Sequence, residues 1–152
     1  MIEILKFKNN IRATLKDAQT GDVIRTVTTP NVVPDVGEQL TLDALGGTSG
    51  SFIKYCAIGH GVGTTSAGSI ILKTELVRTD VVYTRAGQIG TFSSFFDVTQ
   101  GNSGTIKEIG FFGGTSAFTS TNAGTMFNRV EVASGFIKTA DFTLTVDLDV
   151  TF

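Results

Sequence analysis

From Asp141 to Phe152 polar and apolar residues alternate without a break: Phe142, Leu144, Val146, Leu148, Val150 and Phe152 against Thr143, Thr145, Asp147, Asp149 and Thr151. Successive side chains of a strand point to opposite faces, so this pattern requires a strand with one hydrophobic face and one Thr/Asp face. A segment of this kind cannot be stable alone. It predicts an all-β body whose last strand lies in its own core, with no C-terminal tail or anchor.

The chain has 152 residues, which suits one domain able to bury a sizeable core without a disulfide or a metal. Cys56 is the sole cysteine, and its surroundings, Tyr55-Cys56-Ala57-Ile58, read as a buried small hydrophobe. Net charge is −2 and the twelve Lys and Arg are scattered, so the basic footprint of a nucleic-acid binder is missing. The N-terminal residues lack the long apolar run of a signal peptide. No stretch approaches the ~18 apolar residues of a membrane span. Eighteen Gly, two Pro and twelve Phe suit short strands joined by glycine turns. Only 17% of residues are charged and mean hydropathy is +0.20, which predicts apolar surface that meets another chain.

Residues 1–10, with Ile2, Ile4, Leu5 and Phe7 against Glu3, Lys6 and Lys8, read as an N-terminal arm that stops at Asn9-Asn10; residues 11–152 read as a single domain. Ile11 to Lys16 and Val23 to Thr29 form a hairpin around the turn residues 17–22. Pro30 and Pro34 bracket a crossing segment. Val36, Leu40, Ala44 and Leu45 predict one short helix, capped by Asp35 and stopped by Gly46-Gly47. Phe52 to Ile58 is a strand, whereas Ile70 to Arg78 fits a helical turn or an irregular strand equally. Val81 to Arg85 and Ile89 to Val98 make a second hairpin; Thr105 to Phe112 and Thr125 to Val132 are further strands. About eight strands at this spacing predict an antiparallel β-sandwich, jelly-roll-like, with one short helix.

Chemistry-bearing constellations are sparse. His60 is the sole histidine, so a two-histidine metal site is excluded and any Ser-His-Asp arrangement must use it. Between two glycines it reads as a surface loop residue. Gly59-x-Gly61-x-Gly63-Thr64 mimics a phosphate loop but has the wrong third-glycine spacing and lacks Gly-Lys-Ser/Thr, so it reads as small residues above a sheet. Asp147 and Asp149 share a strand face about 7 Å apart. That is near glycosidase separation, but nothing apolar flanks either residue to raise a pKa, and solvated strand charges are the favoured reading. Glu75, Arg78, Lys107, Glu108 and Arg129 can form ion pairs between strands that set register. The residues therefore predict no catalytic group, no cofactor and no metal.

Five segments in order, Ala57-Ile58-Gly59-x-Gly61 with Thr64-Thr65, Glu75-x-x-Arg78, Gly104 to Phe112, Gly124 to Val130, and Lys138-Thr139 before the terminal strand, together resemble a family of tailed-bacteriophage virion proteins. Its members carry stretches similar to GTI-EIGLF, GTLFNRV and a C-terminal LTVTWTITF in the same order, and are found among tail fibre, baseplate and head-decoration components. The likeness covers about residues 50–152. Asp147 and Leu148 stand where relatives often have Thr-Trp, and His60 replaces a small residue. The resemblance implies a non-enzymatic virion structural protein, first of all a capsid decoration (cement) protein that binds the assembled head. The alternative it implies is a tail fibre-head, tail-tip or baseplate component contacting the host receptor. Implied partners are copies of the same chain, as a homotrimer, and the major capsid protein or neighbouring tail proteins, without nucleic acid or membrane. The expected subunit or capsid contacts are Ile2, Ile4, Leu5 and Phe7.

Overall fold

The computed structural model describes residues 8–151. It contains β1 (Lys8–Asp17), β2 (Val23–Pro30), α1 (Asp35–Leu45), β3 (Ile53–Gly59), β4 (Glu75–Ala86), β5 (Ile89–Phe96), β6 (Thr105–Gly113), β7 (Thr125–Ile137) and β8 (Phe142–Thr151). The strands form one antiparallel sheet in the order β2-β1-β8-β5-β4-β3-β6-β7, nearly closed into a barrel. The all-β class with a single short helix is what the sequence predicts. Its jelly-roll refinement finds no support, because the eight strands make one continuous sheet. β4 permits this by being long: Glu75 to Asp80 pairs with β3, and Val81 to Ala86 pairs with β5.

The terminal alternation places β8 between β1 and β5, with Leu148 opposite both Ile11 and Phe92, and Leu144 opposite both Leu15 and Phe96. Leu144, Val146 and Leu148 are fully buried and join Cys56, Ile58, Ile109, Phe111 and Val130 in one core inside the barrel. Burying each such side chain contributes about 1.5–3 kcal/mol. Lys8, Asn9 and Asn10 also belong to the sheet, paired with Thr151, Val150 and Asp149, so the domain begins before the arm's expected end at residue 10.

Helix α1 packs against β7, with Leu40 in the core and Gly37 against the Phe127 carbonyl. Its first turn carries Asp35 and Glu38, which suit the helix dipole, but the N-cap position is Pro34, and no side chain caps it. Gly46 and Gly47 end it as expected, their N–H groups donating to Leu42 and Ala44 carbonyls at 2.8 and 3.2 Å. Only Gly37 and Leu40 are buried. Ala44 and Leu45, expected on the packed stripe, face outward because the helix meets the barrel through its first half alone.

Candidate functional site

Outside the barrel, on the face formed by β4, β3, β6 and β7, the sheet register lines up two rows. Arg78, Ala57, Gly110 and Arg129 form one; Glu75, Gly59, Glu108 and Glu131 form the next. The first row is small in the middle and charged at the flanks; the second is charged at every position but Gly59. Two long loops, residues 60–74 and 114–124, fold over it.

Glu108 holds the first loop. Its carboxylate, fully buried, accepts N–H groups from Gly61 (2.9 Å), Lys73 (3.0 Å) and Thr74 (2.7 Å), and Nε of Arg129 at 2.8 Å. Burial pushes its pKa up, but the Thr74 and Lys73 amides and the Arg129 guanidinium outweigh that and hold it below the usual glutamate range. Arg129 in turn donates to the Gly63 carbonyl at 2.7 Å and Thr65 Oγ1 at 3.1 Å, and Glu131 accepts the Gly63 amide at 2.9 Å. Gly61 must lack a side chain, since a Cβ there would overlap the Glu108 carboxylate. Gly110 must as well: its Cβ would lie 2.8 Å from Leu72 Cδ2, the residue that packs with Ala57, Phe112 and Met126 beneath the loop. The glycine-rich motif thus serves close approach to a buried carboxylate.

Glu75 and Arg78 hold the second loop. Residues three apart on a regular strand face opposite ways, yet here they form a fork-to-fork pair at 2.6 and 2.8 Å. A β-bulge explains it: Gly59 pairs with Glu75 and Ile58 with Val77, so Leu76 is an extra residue that turns Glu75 onto the face of Arg78. Arg78 then donates to the carbonyls of Phe118 (3.1 Å) and Ala123 (2.7 Å), and Glu75 accepts the Asn122 amide at 2.8 Å. The guanidinium also lies 4.4 Å from the Phe112 ring centroid. Of the five charged residues expected to pair, Glu108–Arg129 joins two strands, Glu75–Arg78 lies within one, and Lys107 joins neither.

The other expected residues fall elsewhere. His60 is half-buried, with Nδ1 2.8 Å from the Thr105 carbonyl, so it fastens the start of the first loop and is not the free surface residue expected of it. Asp147 and Asp149 lie on the open outer face of β8. Arg12 bridges them at 3.0 and 3.3 Å, and Thr91 Oγ1 donates to Asp149 at 2.7 Å. Cys56 is fully buried, and desolvation raises its thiol pKa well above the ordinary value. Among the described residues no cluster of three His, Cys, Asp or Glu side chains is placed to hold a metal. Ile2, Ile4, Leu5 and Phe7 lie outside the described residues.

Two further anchors go beyond the sequence reading, which names Lys138 only within a motif and Arg25 not at all. Lys138, fully buried, donates to the Asp97 carbonyl at 2.6 Å and to Asn102 Oδ1 at 3.0 Å; burial pulls its pKa down, and the Asp97 carboxylate partly opposes this. Arg25 on β2 reaches across to β7. Neither contact follows from spacing, because each joins segments far apart in the chain.

Large apolar side chains are exposed on and beside these anchored loops. Helix α1, the 46–52 turn and the 114–124 loop meet at one barrel end, with Leu40 beside Gly114 and Thr115 against Gly50. There Leu42, Leu45, Phe52 and Phe118 are 67%, 79%, 59% and 61% exposed. Val62, Ile70 and Ile71 are exposed along the 60–74 loop. The fold and this face describe a small sheet barrel with clamped, apolar-tipped loops. No protein-family model, curated protein or solved structure matches the chain.

Proposed function

We propose that this chain is a non-enzymatic structural protein of a tailed-phage virion, a head-decoration (cement) protein that assembles with copies of itself, as a trimer, and with the major capsid protein. The observation that carries this reading is the combination of loops fixed by buried ion pairs with large apolar side chains left exposed on them. A rigid apolar surface is costly to leave in water and useful only against a partner. A lattice protein multiplies many modest contacts by symmetry, and preformed loops lower the ordering cost of each. Binding the assembled shell and not its dispersed subunits stabilises the shell by mass action, about 2.7 kcal/mol per site at a hundredfold excess over Kd.

The loop 114–124 favours a second reading, a tail fibre-head, tail-tip or baseplate protein that contacts the host receptor. Its Thr and Ser residues surround the exposed Phe118, a combination able to stack on and hydrogen-bond to sugars. Antibody labelling of particles from the strain that encodes the chain tests both, read by electron microscopy. Label on heads supports decoration, label at the tail tip supports the second reading, and particles without label refute both.

A further inference from the structure

The barrel is not hydrogen-bonded shut. Strands β2 and β7 are the two edges of the sheet, and no backbone hydrogen bond joins them among the described residues. Beyond the Val32–Arg129 bridge, where the Arg129 N–H donates to the Val32 carbonyl at 3.2 Å, the gap is spanned by Arg25, which donates to the Gly135 carbonyl at 2.6 Å and to Ser134 Oγ at 2.7 Å. Those acceptors sit on a bulge of β7, where Ile106 pairs with Phe136 but Glu108 pairs with Glu131. Beneath Arg25 the seam is lined by Ala13, Leu15, Val27, Phe136 and Leu144. At its foot, between β2 and the Val32–Arg129 bridge, both polar atoms of the Asn31 carboxamide are buried and unpartnered. β2 itself carries no Lys, Asp or Glu along Val23–Pro30 to discourage pairing, apart from the Arg25 that spans the gap and a terminal Pro.

From these observations we infer that the β2–β7 seam is a docking site for an extended strand, and that its occupant is the Ile2-to-Phe7 segment of a second copy of the chain. The site offers two strand edges that pair with no other strand on the seam side, and an apolar floor, the requirements of strand addition. The segment offers Ile2 and Ile4 on one side of an extended chain. Direction argues for a second copy. Lys8 and Asn9 are paired with Thr151 and Val150, and Asn10 with Pro30, so the segment before Lys8 starts from the end of β1 that lies beside the end of β2. To enter its own seam, on the far side of β2, it would have to reverse within Ile2 to Phe7 and lose the length that pairs. A neighbouring molecule imposes no such turn. The incoming strand needs about 4.8 Å on each side, so β2 must move outward and Arg25 must release Gly135. Arg25 is therefore the latch that competes with the strand.

This inference rests on the self-association in the proposed function, and it is tested without virions. Sedimentation velocity compares the full chain, a chain starting at Lys8 and a full-length Ile4→Asp variant, which retains every residue of the described fold. Self-association should be lost in both variants. A labelled peptide of residues 1–8 should bind the truncated chain and slow amide exchange in β2 between Ile24 and Thr28. Arg25→Ala should tighten that binding by on the order of tenfold, the equivalent of about 1.4 kcal/mol. A full chain that stays monomeric, a truncated chain that still associates, or protection appearing around α1 instead of β2 would overturn the inference. Persistent labelling of particles by the truncated chain would leave the virion reading standing on its own.

Discussion

Replacing Glu108 by Gln keeps size and shape and removes only the second acceptor oxygen and the charge. Four donors converge on this carboxylate, Gly61, Thr74 and Lys73 amides and Arg129 Nε, within 2.7–3.0 Å. An amide can face them with one oxygen, so two of the four meet an NH2 group, and Arg129, 1% exposed, loses its counter-charge. Breaking a buried pair from one side costs about 3–5 kcal/mol. For a chain of this length each kcal/mol is worth about 2–4 °C in Tm, so the midpoint should fall by about 6–20 °C. Urea unfolding should show a lower midpoint at an unchanged slope, and amide exchange at Lys73 and Thr74 should accelerate. The pH dependence gives a second reading. Glu108 has a lower pKa folded than unfolded, so the stability it contributes is whole above the unfolded value, about 4.3, and fades as pH falls through the folded value. The gap between wild type and Glu108→Gln should therefore narrow in acid. A cost below about 1 kcal/mol at pH 7, or a gap that does not change with pH, would refute the assignment of the clamp to this carboxylate.

Arg78→Lys keeps the charge but cannot fork onto Glu75 while reaching Phe118 and Ala123, so limited proteolysis should cut within residues 115–122 at protease levels the wild type resists. Gly61→Ala should destabilise by at least about 2 kcal/mol in urea melts, since its methyl must displace a buried carboxylate. Asp147→Asn with Asp149→Asn should change stability by less than about 1 kcal/mol, because Arg12 is 44% exposed at that pair. If the virion reading is right, the same double variant should leave particle infectivity unchanged.

The barrel's strands were legible because a half-buried strand writes its burial into alternation, as β8 does most plainly. The single-sheet closure was not: it depends on β4 changing partner from β3 to β5 after Asp80, which alternation does not encode. The strand at Glu75 was ambiguous for a local reason, since the Leu76 bulge breaks the period of two and leaves a spacing that fits a helix as well. The charged residues of the candidate face were visible, but the resemblance placed them only as motif members. What they hold, the backbone amides and carbonyls of loops 60–74 and 114–124, has no side-chain signature and cannot be read from residue types.

A buried ion pair is a poor way to gain stability, because desolvation offsets most of the attraction and apolar replacements often do as well. Glu108–Arg129 and Glu75–Arg78 are better understood by what they select. A carboxylate with fixed oxygens accepts only amides at particular positions, and a guanidinium fork reaches only particular carbonyls, so each pair admits one path for the loop above it. An apolar patch in their place would grip the loops in many registers. The small residues between the two pairs, Ala57 and Gly110, let the loops descend close enough to be gripped at all. Position on the sheet, bulge, small centre and charged flank all act to the same end: Phe118, Val62 and Ile70 are exposed on loops whose paths are held in place.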